Sequence, residues 1–275
     1  MIRRMVFFSG MLIFLAVSSG CGQNIFEGMA DDKTPAAQLE AAKIALDNGN
    51  YSEAVSLLGD LCGVDPSQAV DTAQLTCDSA TRADLASALV ANATGLDAFE
   101  LIKKAEAATA GTTNSFGTLS QLMPIDAINA CAGGGDCSLQ TELSNATAIL
   151  SSIPSSDRTE NQNLQLAVAA ATDAVVSIGV ISGGFSGLNG CDLNTDPDCI
   201  PVPAAIPDVA QIDQATTDRL TQDMIDLADG VAGSNLSADL TTQINTIETN
   251  MDSDQSSDVN AAEVNAYIQD VVNGL

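Results

Sequence analysis

The stretch 35-PAAQLEAAKIALDNGNYSEAVSLLGDLCGVDP-66 decides the fold class of this chain. Over 35–48 the apolar residues Leu39, Ala42, Ile44, Ala45 and Leu46 recur at helical spacing. Asn48-Gly49-Asn50 interrupts them as a turn. A second helical face follows over 51–61, made of Ala54, Val55, Leu57, Leu58 and Leu61. Two amphipathic segments joined by a three-residue turn read as a helical hairpin.

The same pattern continues outward. Ser79 is expected to cap a helix over 80–92, and further helices are expected over 96–108, 116–130 and 138–153. The segment 159–181 is long and apolar, but Asp173 sits in its middle, which favours a central core helix over a membrane span. Residues 183–207, rich in Gly and Pro, read as loop, and 208–232, 237–250 and 258–273 as three closing helices. The expected fold is all-α, an irregular stack of helical hairpins. Ala-rich composition with only 3% aromatics suits helices that approach closely.

The hairpin resembles a tetratricopeptide repeat, a family of stacked helix pairs forming a right-handed superhelix. Gly49, Tyr51, Ala54 and Pro66 match its turn, packing and stop positions, and Ala42 matches its small helix-contact residue. Gln38 departs from it, standing where a large apolar residue is usual. The resemblance covers about one repeat and implies a binding groove for a protein or peptide. Because repeat architectures need about three units, the remaining helices must complete the stack.

At the N-terminus, Arg3 and Arg4 precede an apolar run to Val17 and then Ser18-Ser19-Gly20-Cys21. A charged start, a short apolar run and small residues form a secretory signal. The small residues before Cys21 resemble the lipobox of bacterial lipoproteins, with Ser18 where Leu is usual. That resemblance implies cleavage before Cys21 and its lipidation, a membrane anchor. Gly22, where that family uses Asp for inner-membrane retention, implies the outer membrane, with the body facing the periplasm. The expected organisation is a signal peptide (1–20), a lipidated tether (21–34), a repeat-like helical domain (35–190), a disulfide loop (191–207) and a C-terminal helical segment (208–275).

Beyond Cys21 the cysteines are Cys62, Cys77, Cys131, Cys137, Cys191 and Cys199. In an exported chain an even set at short spacing reads as disulfides, and each neighbouring couple brackets a turn-rich segment. Nearest-neighbour pairing is expected, with free buried thiols as the other reading. Zinc is disfavoured: there is no His and no CxxC spacing. Without the first 20 residues, 7 basic residues face 36 acidic ones, a formal charge of −29. Such a charge repels nucleic acid and anionic lipid headgroups, so membrane contact is expected through the lipid alone. With no His and no obvious free thiol, no catalytic set can be nominated, and the chain reads as a non-enzyme.

One acidic loop, 252–263, resembles an EF-hand. Asp252, Asp254, Ser256, Asp258, Asn260 and Glu263 stand at the oxygen-ligand positions, and Ser257 replaces the usual Gly. Calcium is the implied ligand. The competing reading is a plain helix connector in which Asp258 caps the last helix. A weaker alternation, Asp192, Asn194, Asp196 and Asp198, has Pro203 where a closing Glu would stand and reads as a solvated disulfide loop. Two functions follow as expectations: a lipid-anchored scaffold for an envelope protein or peptide, or a calcium-dependent structural or surface module.

Overall fold

The protein is described by a computed structural model covering residues 34–97, 100, 101, 103, 120, 123–134, 137–193, 195, 196, 199–236, 238–252, 256 and 258–274. The expected signal peptide (1–20), Cys21 and most of the expected tether (21–34) lie outside these residues. Among the described residues the chain forms nine α-helices and one short β-hairpin.

The first hairpin is α1 (Pro35–Asp47) and α2 (Tyr51–Cys62). Thr34 caps α1 by accepting a bond from the Ala37 amide at 3.2 Å, with Pro35 already in the first turn. Gly49 turns the chain at φ 74°, a conformation a side chain would strain. Ala42, Ala45, Ala54 and Leu58 are the buried faces where the pair meets. Next comes α3 (Ser79–Thr94). Its cap is Asp78, not Ser79: the Asp78 carboxylate accepts from the Thr81 amide at 2.8 Å. Either residue type can cap, and the chain places the stronger acceptor one residue earlier.

Then follow α4 (Ile125–Ala132), α5 (Ser138–Ser151) and α6 (Glu160–Ile181). Of the helix expected over 116–130, Ser120 is helical and Ile125–Ala132 forms α4, while 116–119, 121 and 122 lie outside the described residues; α4 starts after Pro124, which lacks the amide a helix interior needs. Most of the segment expected as helix over 96–108 lies outside the described residues. A reciprocal cap starts α6: Thr159 accepts from the Gln162 amide, and the Gln162 side chain accepts from the Thr159 amide. By length and composition α6 could cross a membrane, but 72% of its apolar window is buried inside the protein.

The segment read as loop over 183–207 contains an antiparallel pair, β1 (Phe185–Gly187) and β2 (Pro201–Pro203), in register Phe185 to Pro203. Asn129 on α4 holds it like a third strand, accepting from the Phe185 amide at 2.6 Å and donating to the Phe185 carbonyl at 3.3 Å. The chain ends in α7 (Gln214–Ala232), α8 (Ala238–Met251) and α9 (Ala261–Gly274). The stretch expected to begin a helix at 208 is a single 3-10 turn, Val209–Gln211, and Asp213 caps α7.

The packing is sequential: α1 on α2, α2 on α3, α3 on α5, α5 on α6 and α6 on α7. One cluster of buried apolar side chains runs from Ala42 to Val271, through Leu89, Leu143, Leu166, Leu220 and Ile268. The cysteines pair as neighbours: Cys62–Cys77, Cys131–Cys137 and Cys191–Cys199, with S–S distances of 2.00, 2.28 and 2.05 Å. The 15-residue separation of the first pair places its stabilisation at about 3 kcal/mol in the chain-entropy model.

Candidate functional site

The sequential stack leaves a cleft. Both α5 and α7 lie along α6 and touch each other only slightly, so α6 forms the floor between two walls. The cleft has a volume of about 530 Å³. Its α5 wall carries Ser144, Thr147, Ala148 and Ser151, with Ser152 just beyond; its α7 wall carries Ala215, Arg219, Gln222, Asp223 and Asp226. Asp173 lies in the floor, and Thr72 comes from the loop after α2.

That loop is strapped to α5 by one buried amide. Asn145 accepts from the Val70 amide at 2.9 Å and donates to the carbonyls of Pro66 and Gln68 at 3.0 and 2.7 Å. Arg82 fastens the other end, donating to the Cys77 and Leu75 carbonyls and to Ser152 Oγ. The first disulfide loop is therefore tied to the rim of the cleft.

The centre is a charge network closed from three helices. Arg219 on α7 grips Asp173 on α6 with Nε at 3.0 Å and Nη2 at 2.5 Å, and Nη2 also donates to the Gln140 carbonyl on α5. Asp173 is only 1% exposed, and burial raises its pKa against the opposing pull of Arg219. Asp223, one turn beyond Arg219, is 2% exposed; burial first and the Asp173 charge second push its pKa well up. Asp226 is 3% exposed, and its pKa is raised to about 6 by burial, opposed by a bond from Gln222 Nε2 to its Oδ1. Neither Asp223 Oδ2 nor Asp226 Oδ2 has a hydrogen-bond partner among the described residues.

Two neighbouring buried carboxyls can serve acid–base chemistry. In this cleft Asp173 is gripped through both oxygens, and the hydroxyls of Thr147, Ser151 and Ser152 donate to carbonyls of their own helix. These three hydroxyls are thus turned to main-chain oxygens rather than to a carboxylate. In the sequence Asp173 stands out only as an obstacle to a membrane span, and Arg219, Asp223 and Asp226 do not stand out. The available clue was spacing: Arg219, Gln222, Asp223 and Asp226 share one helix face, beside the apolar stripe of Leu220, Met224 and Leu227.

No protein-family model, curated protein or solved structure matches this chain.

The 252–263 loop is partly described, with Asp254 outside the described residues. It curls on itself: the Ser256 amide donates to Asp252 Oδ1 at 3.0 Å, and the Asp258 amide donates to Ser256 Oγ at 3.3 Å. Asn260 and Glu263 make the reciprocal cap of α9. The Ala262 and Glu263 amides donate to Asn260 Oδ1, and the Asn260 amide and Nδ2 both donate to Glu263 Oε2. The helix cap is Asn260, two residues past the Asp258 of the connector reading. Val259 is anchored on α7 through its amide to Thr221 Oγ1 at 2.9 Å. Among the described residues no three acidic or sulfur side chains gather closely enough to hold a metal ion. The loop residues therefore fit a cation in part: Asp252, Ser256 and Asp258 are drawn together, while Asn260 and Glu263 face the helix end.

This geometry separates capping from calcium binding. Gln at the third helical position caps as Glu does, so Glu263→Gln should leave calcium-free stability unchanged. Glu263→Ala should lower it by about 1 kcal/mol. Thermal melts in chelator, compared with calcium, check both. A calcium-specific rise in melting temperature that Glu263→Gln abolishes marks Glu263 as a ligand; equal losses in Gln and Ala without calcium contradict the cap.

Proposed function

We propose that this protein is a lipid-anchored scaffold of the cell envelope, tethered through Cys21 and presenting the α5–α7 cleft to another envelope protein or peptide. The observation that carries the proposal is the cleft itself. It is a preformed hollow of about 530 Å³, within the size of recognised ligand sites, and Asn145, Arg82 and Arg219 brace it from three sides. The run α1, α2, α3, α5, α6 and α7, in which each packs on the one before, supports a repeat-like stack, with α4 set aside on α6. Three local disulfides agree with an oxidising compartment such as the periplasm. Calcium binding at 252–263 is the second proposal, favoured by the way Ser256 draws Asp252 and Asp258 together.

Multiple acyl chains hold a protein to a bilayer far more firmly than one, at about 0.8 kcal/mol per buried CH₂. Cys21→Ala should therefore shift the protein from the membrane pellet to the soluble fraction, or leave it uncut. Photo-cross-linkers at Ser144 and Gln222, one on each wall, should capture the same single partner, and one at the exposed Glu53 on α2 should not. Uniform capture from all three positions, or a wild-type mature mass without lipid, would contradict the proposal.

A further inference from the structure

We propose that the α5–α7 cleft binds a primary ammonium group, carried by a free linear amine or by a lysine side chain of a partner. This rests on reading the cleft as the binding surface. The cleft presents acceptors, while several of its donors are turned to the protein's own oxygens. Arg219 directs Nε and Nη2 to Asp173 and the Gln140 carbonyl, and Gln222 Nε2 donates to Asp226 Oδ1. On the opposite wall Thr147 Oγ1 donates to the Leu143 carbonyl at 3.0 Å and Ser151 Oγ to the Ala148 carbonyl at 3.1 Å, leaving lone pairs for the cleft. Across from them stand the two carboxyl oxygens without partners, Asp223 Oδ2 and Asp226 Oδ2, on residues 2% and 3% exposed. Buried acceptors left unmet are unfavourable, so a ligand that brings N–H donors gains most.

The geometry also selects among cations. A lone ammonium has three diverging donors, which suits single oxygens on neighbouring turns of α7 and a hydroxyl across the cleft. A planar guanidinium fork prefers both oxygens of one carboxylate, and Asp226 Oδ1 is already taken by Gln222. A quaternary ammonium needs aromatic faces, and none lines the cleft. A divalent ion needs clustered ligands, and no such cluster occurs among the described residues.

The test is calorimetric titration of the full mature protein in detergent micelles with spermidine. Saturable binding is expected, and Asp226→Asn, which keeps the shape, should weaken it about tenfold or more, the worth of a charged hydrogen bond. Thr147→Val should weaken it severalfold. Asp218→Asn, exposed on the same helix and outside the cleft, should leave it within about twofold. Tetramethylammonium, which has the charge but no N–H, should not compete. Equal weakening by Asp226→Asn and Asp218→Asn, or full competition by tetramethylammonium, would overturn the assignment in favour of general charge attraction. Competition by the peptide N-acetyl-Ala-Lys-Ala identifies a partner lysine as a source; spermidine binding without it identifies a free amine. Cross-linking from Ser144 and Gln222 with no amine binding defeats this inference and leaves the scaffold standing. Amine binding with no captured partner defeats the scaffold and leaves this inference.

Discussion

Arg219→Met should destabilise the protein by about 3–5 kcal/mol at neutral pH, the usual loss when one partner of a buried ion pair is removed. Met keeps much of the side-chain volume, so the effect isolates the charge. What remains is Asp173, 1% exposed in the floor of the cleft, with Asp223 beside it. The pH dependence carries the diagnosis. Without Arg219 the folded-state pKa of Asp173 must rise further above its unfolded value. A carboxyl raised on folding is stabilising below its unfolded pKa, and that advantage disappears as pH climbs through the folded pKa. The variant should therefore be harmed less at pH 5 than at pH 8. The wild type should slope the same way more gently, because Asp173, Asp223 and Asp226 are all raised, Asp226 to about 6. Urea unfolding at the two pH values measures it. Adding Asp173→Leu should recover most of the loss, since apolar replacement of a whole buried pair is often neutral. A loss under about 1 kcal/mol that does not vary with pH would mean that Arg219 is a surface ion pair only.

The elements legible in the sequence were those whose partners are close in the chain. The α1–α2 hairpin follows from a 3.6-residue period broken at Gly49, and each cysteine finds the neighbour across its own turn. Elements that depend on distant partners were not legible. The β1–β2 pairing joins Phe185 to Pro203, and nothing in either tripeptide specifies the other; Asn129, more than fifty residues earlier, completes it. The cleft is hidden for the same reason. An Asp on a helix reads as solvated, and only the approach of α5 and α7 to α6 takes Asp173, Asp223 and Asp226 out of water. Arg219 had one visible cue: the body has very few basic residues, and this one falls on the same helix face as two aspartates. Caps were readable to within one or two residues, since neighbouring polar side chains compete for the same amides, as Asp78 and Ser79 do.

Gly230→Val should cost about 3 kcal/mol or more, and its cause lies in how α7 sits on α6. A Cβ at Gly230 would fall 2.5 Å from the Ala167 nitrogen, 2.7 Å from the Asn163 carbonyl oxygen and 2.9 Å from the Ala167 Cα. These are main-chain atoms of a helix interior, so no rotamer change relieves them and the two helices must separate. Overpacking of a tight contact costs about 1–3 kcal/mol even where side chains can give. A helix propensity argument predicts the reverse sign, because glycine is the poorer helix former by about 1 kcal/mol against Ala. The two effects are opposed, and the clash is the larger. Gly230→Ala should accordingly show a net loss of about 2 kcal/mol, and Val a greater one. Denaturant midpoints of both variants decide the sign; a stabilised Gly230→Ala would mean that α7 does not approach α6 this closely. The consequence for the cleft is direct, because α7 carries Arg219, Gln222, Asp223 and Asp226. Levering it off α6 pulls Arg219 from Asp173, so spermidine binding should fall with stability in Gly230→Val. In Asp226→Asn the same binding should fall while stability holds, and that contrast separates a residue that positions the wall from one that meets the ligand.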